Sequence, residues 1–322
     1  MAAGSLSTCR NRDGNRAGSD TMTTVGIVGH GVVADRVRRL VATTHEVREH
    51  DLPAEIVVLA MGGPHAPRAA ELLRAGVHVI STSGGLDDIR SMLDLDDDAR
   101  AAGVTLVVGA AASPGLSGLL ARYLVAGMSG CDELHVAVHG TAGPACAREH
   151  HDALGGWAVG WHDDDWIERS PAGSGRELCW FPEPVGARDC YRAGIPDPVL
   201  LRRAFPAVRR ISARVSATRR DRLTARFPML SPPHREGGVG ALRVEARGND
   251  EHGGRVTPVA GIAELIGTAA AAVAGAFVDH VADGAAAGVL TSADADLPAL
   301  ELLRAVGRGG VRVQAFTGIP HE

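Results

Sequence analysis

Thr24-Val25-Gly26-Ile27-Val28-Gly29-His30-Gly31-Val32-Val33-Ala34 is the stretch whose reading decides the fold. The apolar run Val25 to Val28 reads as a buried strand, and Gly29, Gly31 and Ala34 form G-x-G-x-x-A. Apolar residues at Val32, Val33, Val37, Leu40 and Val41 then mark one face of a helix. Strand, glycine turn and helix in this order are the setting a dinucleotide fingerprint requires. Each small residue has a physical task. Gly29 permits the sharp turn, Gly31 lets a pyrophosphate approach the backbone, and Ala34 lets the helix sit close on the strand. The helix start adds free N–H groups and a positive dipole end. The expected cofactor-binding residues here are therefore Gly26, Gly29, His30, Gly31, Val32, Val33 and Ala34. A tight βα turn that binds nothing is the alternative.

The pattern repeats outward. A short second strand spans His45 to Asp51, and its Glu49 and Asp51 lie about 20 residues beyond the glycines, where an acid binds a ribose 2′-OH. That favours NAD. Arg48 and His50 beside them suit a 2′-phosphate, which keeps NADP open. Strands are expected at 55–60, 77–80 and 104–108, with helices at 67–75, 86–102 and 116–126. The loop after the third strand adds Ala60, Met61 and Gly62 to the cofactor edge, because ligands bind at the carboxyl ends of such strands. Asp94, Asp96, Asp97 and Asp98 read as a solvated helix face, and no metal site is expected. Strands alternating with helices specify a parallel, doubly wound sheet.

With these pieces in place, residues 24 to 130 resemble the nucleotide-binding domain of the saccharopine dehydrogenase-like oxidoreductases. The resemblance rests on Gly26 to Ala34, on Ala75-Gly76-Val77-His78-Val79-Ile80-Ser81-Thr82-Ser83-Gly84, and on Gly109 leading to Ser113-Pro114-Gly115-Leu116-Ser117. It implies that Met61 to Pro64, Ser81 to Gly84, and Pro114 with Gly115 line the nicotinamide and substrate cleft. It also implies a substrate domain after the Rossmann-like part, and substrates among amines and amino acids. The glucose–fructose oxidoreductase-like enzymes share the layout but carry Glu-Lys-Pro after the fourth strand, where this chain has Ser81-Thr82-Ser83-Gly84.

Composition narrows the chemistry further. The chain has 322 residues, 45% hydrophobic and 22% charged, which suits two globular domains with real cores. A net charge of -5 makes nucleic acid and anionic membrane poor partners. All 33 basic residues are arginine, so Schiff-base chemistry and a Walker-type phosphate lysine are excluded. Cys9, Cys131, Cys146, Cys179 and Cys190 form no C-x-x-C pair and fit a reducing cytoplasm. Residues 1–22 read as a disordered polar tail without a secretory signal, and Met22 is an alternative start.

From Cys131 the pattern alternates with period two, at 134–139, 177–181, 210–215, 242–246 and 255–259, which predicts a largely antiparallel sheet in an α+β domain spanning 131–322. Its C-terminal part is expected to return to the first domain, and its sheet is a candidate homodimer surface. A buried helix is expected over 261–281, followed by a strand, a helix at 297–306 and a strand at 311–316. Trp157 and Arg176 are candidate substrate residues, since a guanidinium fork suits a carboxylate. His150 and His151 are candidate proton carriers, of which only one can face a cleft. The expectation is an NAD- or NADP-dependent oxidoreductase transferring hydride at a C–N or C–OH centre of a small polar metabolite, of amino acid or imine type. The other class considered is a non-catalytic nucleotide-binding sensor or assembly protein.

Overall fold

The computed structural model describes residues 22–48, 53–229 and 237–316. The expected tail, apart from an exposed Met22, lies outside them, as do Glu49, His50 and Asp51. The first half runs β1 (Thr24–Val28), α1 (Val32–Val41), β2 (Glu46–Arg48), β3 (Ile56–Leu59), α2 (Ala66–Arg74), β4 (His78–Ser81), α3 (Leu86–Leu93), α4 (Asp96–Ala102), β5 (Thr105–Val108) and α5 (Leu116–Ala126). The single helix expected over 86–102 is two. Asp96, Asp97 and Asp98 occupy the first turn of α4, where carboxylates favour the positive end of the dipole. In the middle of one long helix they would lose that advantage. Asp96 is further held by the Val289 backbone N–H at 2.7 Å and Arg100 Nε at 2.9 Å.

The second half runs β6 (Gly130–His139), α6 (Pro144–Gly155), β7 (Gly160–His162), β8 (Asp165–Ile167), β9 (Glu177–Trp180), β10 (Ala187–Arg192), α7 (Asp197–Ala204), β11 (Arg210–Ser216) and α8 (Arg219–Thr224). It continues with β12 (Val239–Asn249), β13 (Arg255–Val256), β14 (Val259–Leu265), α9 (Ile266–Ala282), β15 (Gly288–Thr291), α10 (Ala299–Arg308) and β16 (Gln314–Phe316). The helix expected from 261 begins only at Ile266. Residues Val259 to Leu265 instead pair along their whole length with β12, Val259 opposite Glu245 and Leu265 opposite Val239. The ladder satisfies backbone groups that the apolar run alone leaves unassigned.

Two sheets result. The first has the order β15-β5-β4-β3-β1-β2, and every pairing in it is parallel. Its strands are apolar on both faces. In β3, Ile56 and Val58 join the core containing α1 and α9, while Val57 and Leu59 join the core under α2, α3 and α4. This is the alternation of a strand buried on both sides. Residues 288–291 complete this sheet beside β5, so the chain's last third returns to its first domain.

The second sheet has the order β16-β14-β12-β6-β11-β10-β9 and is antiparallel except for β6 beside β11. Leu134, Val136 and Val138 of β6, with Ile211, Ala213 and Val215 of β11, face the helices. The opposite face carries charge: Glu245 binds Arg247 at 2.6 Å and Arg243, and Glu133 binds Arg247 at 3.3 Å and His135 at 2.9 Å. No helix among the described residues is long and apolar enough to cross a membrane.

Candidate active site

The order of the first sheet reverses direction between β1 and β3, and the carboxyl ends of these strands open the switch-point crevice where ligands bind in such sheets. Gly29 turns the chain out of β1 at φ 134°, and a Cβ there would meet the Ala60 carbonyl oxygen at 2.1 Å. Ala60 N–H in turn donates to the Val28 carbonyl at 2.8 Å. Only glycine permits this approach of the two loops. Gly31, at φ 152°, has nothing within 4 Å of its Cβ position. It caps α1 without any side-chain hydrogen bond, and Ala34 beneath is fully buried. Arg38 fixes the loop from below by donating to the Gly29 carbonyl at 2.7 Å and the Ile27 carbonyl at 3.3 Å. The result is an open cradle over a free helix N-terminus. The start of α2 differs: the Asp88 carboxylate already accepts from His65 N–H at 2.8 Å and Ala66 N–H at 2.9 Å. Of these two helix starts, α1 is the one with room for a pyrophosphate.

The neighbouring loops are tied together by a buried histidine. His65 Nδ1 lies 2.8 Å from Ser81 Oγ, and Nε2 lies 3.1 Å from the Met61 carbonyl. Burial pushes its pKa down, so the ring is neutral near pH 7 and links the ends of β3 and β4 without charge. Ser81 Oγ also accepts from Ser83 N–H at 3.2 Å. Ala60, Met61, Gly62, Ser83 and Gly84 thus form one continuous rim beside Gly29 and Gly31.

Helix α6 lies across this rim, carried there by β6 of the second sheet. A Cβ added at Gly62 would lie 2.9 Å from Ala145 Cβ, and one at Gly84 would lie 2.9 Å from Glu149 Oε2 and 3.9 Å from the Ser113 carbonyl. Ala145 and Glu149 are four apart and share one helix face. Cys146 and His150 form the adjacent row, Sγ to Nε2 at 4.0 Å. Beyond them is Asp197, at the start of α7 and 1% exposed. Its Oδ2 accepts the Ser113 hydroxyl at 2.7 Å, and the Ser117 hydroxyl is also near this carboxyl.

Burial sets the protonation of this group. It raises the Glu149 and Asp197 carboxyls above their ordinary range, opposed in both by His150 and, in Asp197, by the Ser117 and Ser113 hydroxyls. It lowers His150, against the pull of Glu149 and Asp197. It pushes the Cys146 thiol up to about 11, so the sulfur stays protonated at neutral pH. Glu149, Cys146 and Asp197 are therefore each neighbours of a neutral His150.

Of the two candidate histidines, His150 is in this group and His151 is not. His151 Nε2–H donates to the Phe227 carbonyl at 2.8 Å on the α8 side of the helix. Pro114 and Gly115 are buried, Pro114 packing at Gly109, and Ser113 is half-buried with its hydroxyl on Asp197. Trp157 and Arg176, expected as substrate residues, lie outside this group. Trp157 follows the far end of α6 and is 63% exposed. Arg176 spends its guanidinium on Asp189 at 2.9 Å, on the β9–β10 hairpin. His65, Asp88, Glu149, Ser113 and Asp197 are the members of the site that sequence reasoning missed.

No family model matches the sequence, and no curated protein matches it. Among solved structures the chain is similar to apo saccharopine dehydrogenase (L-Glu forming) from Saccharomyces cerevisiae, with a TM-score of 0.64 and 12% identity over 91% of this chain and 100% of that one. It is also similar to homospermidine synthase from Legionella pneumophila in complex with NAD, with a TM-score of 0.66 and 10% identity over 92% of this chain and 91% of that one. At these identities what is shared is the architecture: a Rossmann-like parallel sheet joined to a mixed, mostly antiparallel one.

Proposed function

We propose that the chain is an oxidoreductase that binds NAD or NADP at the carboxyl edge of its parallel sheet. It transfers hydride at a C–N or C–OH centre of a small polar metabolite of the amino acid or imine class. The observation that carries this reading is the start of α1, an uncapped helix N-terminus under the open backbone of Gly31 at the β1–β3 switch point. Each charge-assisted hydrogen bond from such an N–H to a phosphate is worth about 1.5–3 kcal/mol. The likeness to a saccharopine dehydrogenase and to an NAD-bound homospermidine synthase supports the same reading by analogy of fold.

When bound, the nicotinamide supplies or accepts the hydride. Gly29, Gly31, Val32, Val33 and Ala34 hold the pyrophosphate end, and Ala60 to Gly62 with Ser83 and Gly84 carry the rest of the dinucleotide. His65 keeps those two loops in register. His150 is the general base or acid: burial holds it neutral, so its ring is able to accept a proton from a reacting C–OH or C–N–H group. His151, committed to Phe227, has no part in this. A sensor without turnover would have a cleft lined by apolar groups alone, whereas Glu149 and His150 are ionisable side chains on the helix over the rim.

Calorimetric titration of the folded protein with NADH and with NADPH tests the reading. Saturable binding of at least one is expected. A folded sample that binds neither removes the oxidoreductase reading.

A further inference from the structure

The face of the second sheet away from the helices carries a constellation that the cofactor cleft does not use. β6 and β11 pair in parallel, in a register that sets His135 beside Ser212. Side chains alternate between the faces of a strand, so Glu133, His135 and Ser212 stand together on that outer face, all three partly exposed. His135 Nδ1 lies 2.7 Å from Ser212 Oγ, and its Nε2 lies 2.9 Å from Glu133 Oε2. The charges fix the protons. Burial raises the Glu133 carboxyl, but His135, Arg210 and Arg247 outweigh it and hold it below its ordinary range, so Glu133 is an ionised acceptor. Burial lowers His135 against its hydrogen bond to Glu133, so the ring is neutral near pH 7. Its one N–H then points from Nε2 to Glu133, and Nδ1 is left to accept the Ser212 hydroxyl proton. Glu245, opposite His135 on β12, is already committed, one oxygen to Arg243 and the other to Arg247.

We propose that Ser212, His135 and Glu133 form a second active site, a serine-nucleophile centre that hydrolyses carboxylic esters. A hydroxyl on a neutral imidazole that a carboxylate orients is the arrangement of an activated serine, here with the two ring nitrogens in exchanged roles. Ser212 Oγ attacks the ester carbonyl as its proton passes to His135 Nδ1. The bond to the alcohol oxygen then breaks, and the alcohol leaves with that proton, which makes acyl-Ser212. Water gives one proton to Nδ1 and its oxygen to the acyl carbon. The bond to Oγ breaks, Oγ takes the proton back, and the acid departs. Arg210, two residues before Ser212 on the same face, is half-exposed and 4.0 Å from Glu133, and it is the cation placed beside the developing oxyanion. Glu133 is a positioning residue, which keeps Nε2 protonated and supports the imidazolium. The structure also holds a control. His139 and Ser216 stand four residues further along the same two strands, again at 2.7 Å. The charge acting on His139 is that of Arg188, the wrong sign to support an imidazolium.

The test treats the full chain with diisopropyl fluorophosphate, locates the adduct by peptide mass spectrometry, and follows p-nitrophenol release from p-nitrophenyl acetate. An adduct on Ser212 and none on Ser216 is expected, with p-nitrophenol released over more than one turnover. S212A is expected to lose both the adduct and the turnover while binding NADH and NADPH as the wild type does. H135Q is expected to slow labelling of Ser212 at least about a hundredfold. E133Q is expected to slow it about tenfold or more, with E133D restoring part of the rate, as an orienting carboxylate requires. A folded wild-type chain without a Ser212 adduct, equal labelling of Ser212 and Ser216, or ester turnover unchanged in folded S212A overturns the proposal. H135Q and E133Q carry the test if S212A does not fold, and an unchanged labelling rate in both overturns it.

Discussion

A methyl group at Gly29 would lie 2.1 Å from the carbonyl oxygen of Ala60, whereas one at Gly31, two residues on, would touch nothing within 4 Å. The two glycines of one motif therefore fail differently when replaced. Gly29→Ala forces the β1 and β3 loops apart and strains a backbone at φ 134°, so a loss of about 2–5 kcal/mol of stability is expected. Gly31→Leu meets only backbone strain, of about 1–3 kcal/mol, but fills the cradle above α1. That variant is expected to fold, by circular dichroism and thermal melting, and to bind NADH or NADPH at least about tenfold more weakly. Wild-type affinity in folded G31L would remove the cradle from the cofactor site. This pair was legible in the sequence because glycine spacing between a strand and a helix is a local signal. Asp197 was not. Pro196-Asp197-Pro198 reads as a helix start, and what makes Asp197 unusual is a hydroxyl 84 residues earlier in the chain.

Helix α9 shows the same limit for whole elements. Its alanine run forms a buried helix as expected, but residues 261–265, expected as its start, are the end of β14, since that stretch is also largely apolar and only the partner β12 decides between the two. Likewise nothing in the sequence of α6 announces the rim that Ala145 and Glu149 reach. What small residues in α9 achieve is close approach to α1. A Cβ at Gly275 would fall 2.7 Å from Leu40 Cδ2, and one at Gly267 would fall 2.9 Å from Val32 Cγ1. Val32 is the first residue of α1. Gly275→Val is therefore expected to push α1 outward, costing about 1–3 kcal/mol in urea unfolding and weakening cofactor binding measurably. Lost stability with unchanged cofactor affinity would show that α1 holds its position without α9.

The hydrophobic core is continuous from the first sheet through α5 and α9 to the second, with Ile27, Leu120, Phe277 and Val244 in one cluster, and β15 closes the first sheet from the far end of the chain. Sequence patterning supplied both sheets and an expected return of the C-terminal part to the first domain, but not the continuous core, which depends on which faces meet. One consequence is that buried and half-buried histidines from all parts of the chain act on a single folding equilibrium. Burial lowers the pKa of His65, His78, His135, His139, His150 and His280. Each is neutral in the folded state where the unfolded chain, with a histidine pKa of about 6.5, already takes up a proton. The unfolded state then binds more protons, and stability falls as pH drops below about 6.5. Glu149 and Asp197, raised by burial, act in the opposite sense, because the folded state keeps their protons to higher pH. Two carboxyls oppose six histidines. The carboxylates held low by their partners, Glu55, Asp96, Glu133 and Glu245, reinforce the loss only at more acidic pH, near and below their ordinary range of about 4. Urea unfolding at pH 7, 6 and 5.5 is therefore expected to give a declining free energy, with a slope of about 1.4 kcal/mol per pH unit for each net proton taken up. A flat or rising profile across that window would mean that the folded state takes up as many protons as the unfolded one, at Glu149 and Asp197 or at the histidines themselves.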